Sequence, residues 1–285
     1  MKICLFNNHR LGVVEGNEVL DVSSVLPLIG TAEYPYPHGD QLIACLPELM
    51  PAIADALQFA RRYPLSKVTL RPPVANPGKV IAAPVNYQAH LDEAIKDTAT
   101  FSRAHVRKIQ ETGLFLKATS SVVGSDDPVC IGLPDRRTDH EIELVAIIGK
   151  RAKNVLAKDA LSYVAGYSIG LDITIRGPEE RSLRKSLDSY TVLGPWLVTA
   201  DEIENPHALA MTLDVNGEVR QSANTKDLIM DVAELIEFAS KFYTLEPGDL
   251  LYTGTPEGVG PIRPGDTINC EIERIGNISV NVEAS

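Results

Sequence analysis

The chain has 285 residues, 44% hydrophobic and 23% charged, an ordinary globular composition with enough length to bury its own core. Lys and Arg number 27 against 38 Asp and Glu, a formal charge of −11. This balance argues against nucleic acid or an anionic membrane surface as a partner, because both need a basic face. No apolar run reaches the length of a membrane-spanning helix.

In chain order, Lys2–Phe6, Leu11–Val14 and Glu18–Val22 read as a small β-meander, separated by Asn7-Asn8-His9-Arg10 and Glu15-Gly16-Asn17 turns. The N-terminus lacks the charged-then-apolar layout of a secretory signal. A helix is predicted from about Gln41 to Tyr63, with Pro47 and Pro51 expected to break or kink its first part. Arg71-Pro72-Pro73-Val74-Ala75-Asn76-Pro77-Gly78 reads as a linker, which divides the chain into a small domain, 1–70, and a larger one, 71–285. Beyond it, Val80–Ala83 is strand-like, Asn86 to about Thr112 helix-like, and Leu114–Lys117 a strand candidate. Glu141–Gly149 and Val164–Arg176 are the clearest strands. Val232, Leu235, Ile236 and Ala239 recur at helical spacing behind Asp231, which can cap. Two Pro-Gly-Asp turns, 247–249 and 264–266, each launch a strand. The expected class is α+β, mostly β, with helices outside. Cys4, Cys45, Cys130 and Cys270 are scattered without a Cys-x-x-Cys pair, which predicts reduced thiols in a cytoplasmic protein and gives zinc no support.

The most informative stretch is Asp139-His140-Glu141-Ile142-Glu143-Leu144. Strand side chains alternate faces, so Glu141 and Glu143 share one face about 6–7 Å apart at Cα. Two carboxylates that close repel unless a proton or a cation stands between them. The strand Gly170–Arg176 places Asp172, Thr174 and Arg176 on one face, and an Asp in so apolar a run needs a partner. Two Glu and one Asp form an all-oxygen donor set suited to Mg²⁺, Mn²⁺ or Ca²⁺. Alternation alone does not choose between this and a solvated strand face with Asp172 paired to Arg176. His90 and Glu93 share a helical face, so the carboxylate could orient the imidazole as a general base or merely form an i,i+3 surface pair. Four basic residues between Arg176 and Lys185 would suit an anionic substrate or a charged loop. Gly254-Thr255-Pro256-Glu257-Gly258-Val259-Gly260 is no P-loop; its amides and the Thr255 hydroxyl could hold a carboxylate, or the segment is a tight turn.

Taken in order, these motifs resemble the fumarylacetoacetate hydrolase family from about Pro77 to the C-terminus. The resemblance runs through Asn86-Tyr87-x-x-His90-x-x-Glu93, Phe115-x-Lys117, Glu141-x-Glu143-Leu144, Asp172-Ile173-Thr174-x-Arg176, Lys185-Ser186-x-Asp188 and Gly194-Pro195. It continues through Asn216-Gly217-Glu218, Gln221, Leu245-x-Pro247-Gly248-Asp249 and Thr253-Gly254-Thr255-Pro256-x-Gly258-Val259-Gly260. It implies a rolled, mixed β-sandwich with flanking helices, assembled as a homodimer. It implies Mg²⁺ or Mn²⁺ on Glu141, Glu143 and Asp172, a His90–Glu93 dyad on a lid-like segment, and Lys185 beside the metal-bound substrate. Tyr87, Lys117, Arg176 and Thr255 are the implied substrate contacts. The implied activity is hydrolysis of a carbon–carbon bond in a β-diketo acid of the acylpyruvate type, a small anionic keto acid. Decarboxylation of oxaloacetate-like acids or keto–enol isomerisation would use the same site, and a non-enzymatic acid-binding module would need that site closed by protein ligands. The chain departs from the family pattern at Pro84, where Gly is common, and at Gly177-Pro178-Glu179, where Asp-x-Gln is common. The second departure is expected to alter hydrogen bonding to substrate.

Overall fold

The computed structural model describes residues 1–97 and 109–285. The chain opens with strands β1 (Lys2–Phe6), β2 (Arg10–Glu15) and β3 (Glu18–Asp21), followed by helix α1 (Gln41–Leu57) and strands β4 (Arg61–Pro64) and β5 (Leu70–Arg71). Next come β6 (Val80–Ala82), α2 (Gln88–Lys96), α3 (Ile109–Thr112), β7 (Phe115–Lys117), β8 (Val122–Val123) and β9 (Val129–Ile131). The central run is β10 (Thr138–His140), β11 (Ile142–Ile148), α4 (Ala157–Ala160), β12 (Val164–Asp172), β13 (Thr174–Ile175), α5 (Arg181–Arg184) and β14 (Thr191–Thr199). The chain closes with β15 (Ala210–Val215), β16 (Glu218–Asn224), α6 (Val232–Phe242), β17 (Leu250–Tyr252), β18 (Gly260–Pro261), β19 (Thr267–Ile272) and β20 (Gly276–Ala284). The part of the expected long helix that falls on 98–108 lies outside the described residues.

Twelve strands form a mixed sheet along the path β4-β3-β2-β1-β14-β12-β11-β17-β6-β7, with β5 beside β1 and β8 beside β14. A second sheet, β16-β15-β19-β20-β9, packs on it through contacts of β12 and β14 with β19 and β20. A short third sheet, β13-β10-β18, stands at the end where the site lies. This is a mixed β-sandwich with flanking helices, as expected. The Pro-rich stretch after residue 70 separates two stretches of sequence, yet β1 is hydrogen-bonded to β14 (Lys2↔Val198), so the N-terminal meander extends the main sheet.

Strand β11 shows how the core is divided. Ile142, Leu144, Ala146 and Ile148 face the sandwich interior with Met211, Leu213, Ile268 and Cys270. Val145 and Ile147 face the other way and pack with Leu42, Ile43, Leu46, Leu49 and Ile53 of α1. Both faces are buried, which explains a seven-residue run with no exposed position.

Helix α1 runs unbroken across Pro47 and Pro51, against expectation. Both prolines are exposed, four residues apart on the outer face, where water can satisfy the carbonyls they leave unpaired. Asp40 caps the helix by accepting from Ile43 N at 3.1 Å. The helix also stops at Leu57 rather than near Tyr63, because Arg61–Pro64 pairs with β3 instead. The predicted strand Glu141–Gly149 is present as Ile142–Ile148, and the predicted strand Val164–Arg176 is broken at Ile173, where the chain leaves the large sheet for the short one.

A buried carboxylate cluster as candidate active site

In the antiparallel pair β11–β12, Glu143 lies opposite Gly170 and Ile142 opposite Leu171. One step further, Asp172 N donates to Glu141 O at 2.9 Å. Opposed residues point to the same face. Glu141, Glu143 and Asp172 therefore converge, all buried, with one carboxylate oxygen of each within 4.8 Å of the others. This is the only such group among the described residues. Gly170 makes room beneath it: a Cβ there would stand 2.4 Å from the Tyr252 ring.

Of the surrounding cations, Lys117 and Lys185 are buried with the acids and Arg176 is partly exposed. Lys185 Nζ donates to Glu141 Oε2 at 2.8 Å, Asp172 Oδ2 at 2.6 Å and Thr174 Oγ1 at 2.6 Å. Lys117 Nζ donates to Asp172 Oδ1 at 2.5 Å and Tyr190 O at 2.8 Å. Arg176 Nη2 donates to Glu141 Oε1 at 2.9 Å, and its Nε to Asp139 Oδ2 at 2.7 Å. Glu143 receives only the Gly254 amide, at 2.7 Å, among the described residues.

These unequal surroundings split the two glutamates. Burial pushes Glu141 up, but Lys185 and Arg176 outweigh it and hold its carboxyl at about 2. Glu143 is pushed well above the carboxylate range by burial and then by the facing charge of Asp172. Two unit charges 4.8 Å apart repel by about 3–4 kcal/mol at an effective dielectric constant near 20. One amide hydrogen bond to a charged group, about 1.5–3 kcal/mol, does not cancel that. Three cations match the three acids in number, but among the described residues none of them is bonded to Glu143, and every donor atom is a hard oxygen. The residues thus fit a divalent cation of the Mg²⁺ or Mn²⁺ type.

On α2, His90 Nδ1 lies 2.9 Å from Glu93 Oε2, and Glu93 Oε1 accepts from Gly258 N at 3.1 Å. The dyad is thereby tied to the 253–260 loop, and His90 is within electrostatic reach of Glu141. Asn86 anchors the start of the same segment: Nδ2 donates to Met230 O and Thr253 O, both at 2.8 Å. Thr255, one residue beyond the amide that holds Glu143, is buried and accepts from Gln221 Nε2 at 2.8 Å.

The structure therefore brings Glu141, Asp172, Lys117, Lys185 and Arg176 into one bonded group, with Glu143 beside it. His90, Glu93 and Thr255 attach through the loop that supplies Gly254. The Tyr87 phenol donates to Met211 Sδ at 3.3 Å and lies within electrostatic reach of Glu143. Lys117 and Arg176, expected on the substrate, are engaged by the carboxylates themselves. Glu179 is turned to Arg136, which donates to both its oxygens at 3.0 and 2.8 Å. That hydrogen bonding holds its carboxyl at about 2. Sequence reasoning gave no role to Asp139, which binds Arg176 and also Arg137 Nε at 2.7 Å. The signal was present, since Asp139 precedes Glu141 by two residues.

The family description "Fumarylacetoacetate (FAA) hydrolase C-terminal" matches residues 79–283. A maleylpyruvate hydrolase of Aquipseudomonas alcaligenes is 55% identical over 286 residues, covering 100% of both chains. A mitochondrial oxaloacetate tautomerase of Rattus norvegicus is 38% identical over 243 residues, 78% of this chain and 74% of that one. Among solved structures, a maleylpyruvate hydrolase of Sphingobium sp. in complex with manganese(II) and pyruvate superposes with a TM-score of 0.85, at 40% identity and full coverage of both chains. The chain belongs to the fumarylacetoacetate hydrolase family.

Proposed function

We propose that this enzyme is a divalent-metal-dependent hydrolase that cleaves a carbon–carbon bond in a β-diketo acid. The substrate would be an acylpyruvate of the maleylpyruvate type, and the products pyruvate and a carboxylic acid. The observation that carries this reading is the convergence of Glu141, Glu143 and Asp172 within 4.8 Å, with no cation bonded to Glu143 among the described residues. The full-length relative at 55% identity, a maleylpyruvate hydrolase, supports the substrate class. The Sphingobium complex with manganese and pyruvate supports both metal and product.

Glu141, Glu143 and Asp172 would hold the ion, which supplies Lewis-acid polarisation of the substrate's carbonyl oxygens when bound. His90, with Nδ1–H given to Glu93, takes a proton from water at Nε2. The resulting hydroxide adds to the acyl carbonyl carbon. The bond from that carbon to the pyruvoyl methylene breaks, and its electron pair stays with the pyruvoyl part. The Lys185 charge favours that anionic fragment. His90 returns the proton to the methylene carbon, giving the methyl of pyruvate and balancing the water consumed. Thr255 contacts the substrate carboxylate. Lys117 and Arg176 act through the acids they hold.

Residues 71–285 contain every group of this site, and residues 1–70 contain none. A homodimer is part of this reading by family resemblance. Four free cysteines, Cys4 and Cys270 buried, support a reducing compartment such as the cytoplasm. Among the described residues no helix is long and apolar enough to cross a membrane.

The rat relative motivates a second reading, tautomerisation of oxaloacetate at the same site. A panel of acylpyruvates and oxaloacetate with Mg²⁺ or Mn²⁺, products identified by mass, separates the two. Hydrolysis yields two acids from maleylpyruvate with one oxygen from labelled water in the released acid. Unchanged acylpyruvates beside rapid oxaloacetate tautomerisation would overturn the first reading.

A further inference from the structure

Gln221 sits on β16, away from the carboxylates, yet it is fully engaged. Its Oε1 accepts the backbone N–H of Ile142 at 3.1 Å, and a backbone N–H can only donate. That contact settles which end of the amide is oxygen. His140 Nδ1 stands 3.2 Å from the same oxygen, so this nitrogen carries the hydrogen and adds a second donor. With two donors on Oε1, the amide cannot turn over. Its Nε2 then gives one hydrogen to Thr255 Oγ1 at 2.8 Å and the other to Pro256 O at 2.9 Å. Gln221 and His140 are both buried, so water does not compete. The loop is also pressed onto this strand: a Cβ on Gly258 would lie 2.0 Å from Arg220 O.

The consequence falls on Thr255. A hydroxyl has one hydrogen and two lone pairs. One lone pair is taken by Gln221, and the described residues give the hydrogen no acceptor. We propose that Gln221 is a positioning residue that sets the hydrogen-bond polarity of Thr255, leaving its hydroxyl a committed donor toward the carboxylate end of an α-keto acid. The chain of control runs from the Ile142 amide, beside the metal-site strand, through Gln221 to Thr255. This rests on the proposed role of Thr255 as a substrate contact.

The test is pyruvate binding to Mn²⁺-loaded protein, measured calorimetrically, in wild type, Gln221→Glu, Gln221→Met, Thr255→Val and the double variant Gln221→Glu/Thr255→Val. Mn²⁺ affinity in each variant reports that the site is intact. A carboxylate in place of the amide accepts the Thr255 hydrogen and turns a lone pair toward the ligand. Gln221→Glu is therefore expected to weaken pyruvate binding about tenfold or more. Gln221→Met frees the hydroxyl without reversing it and is expected to cost about threefold. If Gln221→Glu loses Mn²⁺ binding, the Gln221→Met result decides. In the double variant the affinity should equal that of Thr255→Val alone. Multiplying effects in the double variant, or unchanged pyruvate affinity in the Gln221 variants, overturns the inference and leaves the proposed function standing. Failure of wild type to bind pyruvate at all overturns both.

Discussion

Glu141 and Glu143 are the same residue type, two positions apart on one strand face, and their protons are held oppositely. The difference comes from neighbours, not from depth: both are buried, but Lys185 and Arg176 reach Glu141 while Glu143 faces Asp172. Lys185 is therefore as much a structural counter-charge as a chemical group. Lys185→Met removes the one cation that Glu141 and Asp172 share, leaving only Arg176 on the first and Lys117 on the second, and the metal-free variant is expected to lose about 3–5 kcal/mol in a urea titration. Saturating Mn²⁺ should restore part of that loss; equal stability of variant and wild type without metal would contradict the account. The carboxylates were legible in the sequence because strand alternation has a period of two and because Asp172 stands alone among apolar residues. The partners of Lys117 and Arg176 were not. A positive charge near an acidic motif announces an anion, but not whether that anion is the substrate or the protein's own carboxylate. Tyr87 was illegible for a related reason: nothing in Asn86-Tyr87 says that the ring turns toward Met211.

At the scale of elements, the site depends on how α2 and the 253–260 loop are pinned to one another. Glu93 accepts from Gly258 N, Asn86 from Met230 N, and Gly254 N reaches Glu143. Gly258 adopts φ +88°, a left-handed backbone conformation, against the carbonyl of Arg220. Gly258→Ala is expected to cost about 2 kcal/mol or more in thermal or chemical unfolding and to impair turnover, because the loop must lift from β16. Wild-type stability and activity in that variant would show that the loop is held elsewhere. The turn character of this segment was legible from its glycines. The meander, α6 with its Asp231–Glu234 capping box, and the strands after both Pro-Gly-Asp turns were likewise legible from local chemistry. The C-terminal end of α1 and the break at Ile173 were not, because sheet partners far away in the chain decide them. Arg61–Pro64 is a strand only because β3 offers it an edge.

At the scale of the molecule, β11 and β12 lie inside the large sheet, flanked by β17 and β14, so the three acids rest on its least yielding part. A buried carboxylate with no cation bonded to it among the described residues links metal, protons and stability. The raised carboxyl of Glu143 keeps a proton in the metal-free protein. That proton favours the folded state fully at pH below the ordinary carboxylate value, and the benefit is lost as pH rises through the raised value. A divalent ion displaces the same proton, so its affinity must rise with pH across that window. Binding to the folded state alone would add about 2.7 kcal/mol at a hundredfold excess over Kd.

The most direct test is a Mn²⁺ titration, followed by paramagnetic resonance, of wild type and Glu143→Ala between pH 5 and 8, with circular dichroism to confirm that both are folded. The expected result is one ion per wild-type chain, bound more tightly as pH rises, and loss of that site in the variant. Undiminished Mn²⁺ binding by folded Glu143→Ala, or no ion on the wild type at any pH, would contradict the account.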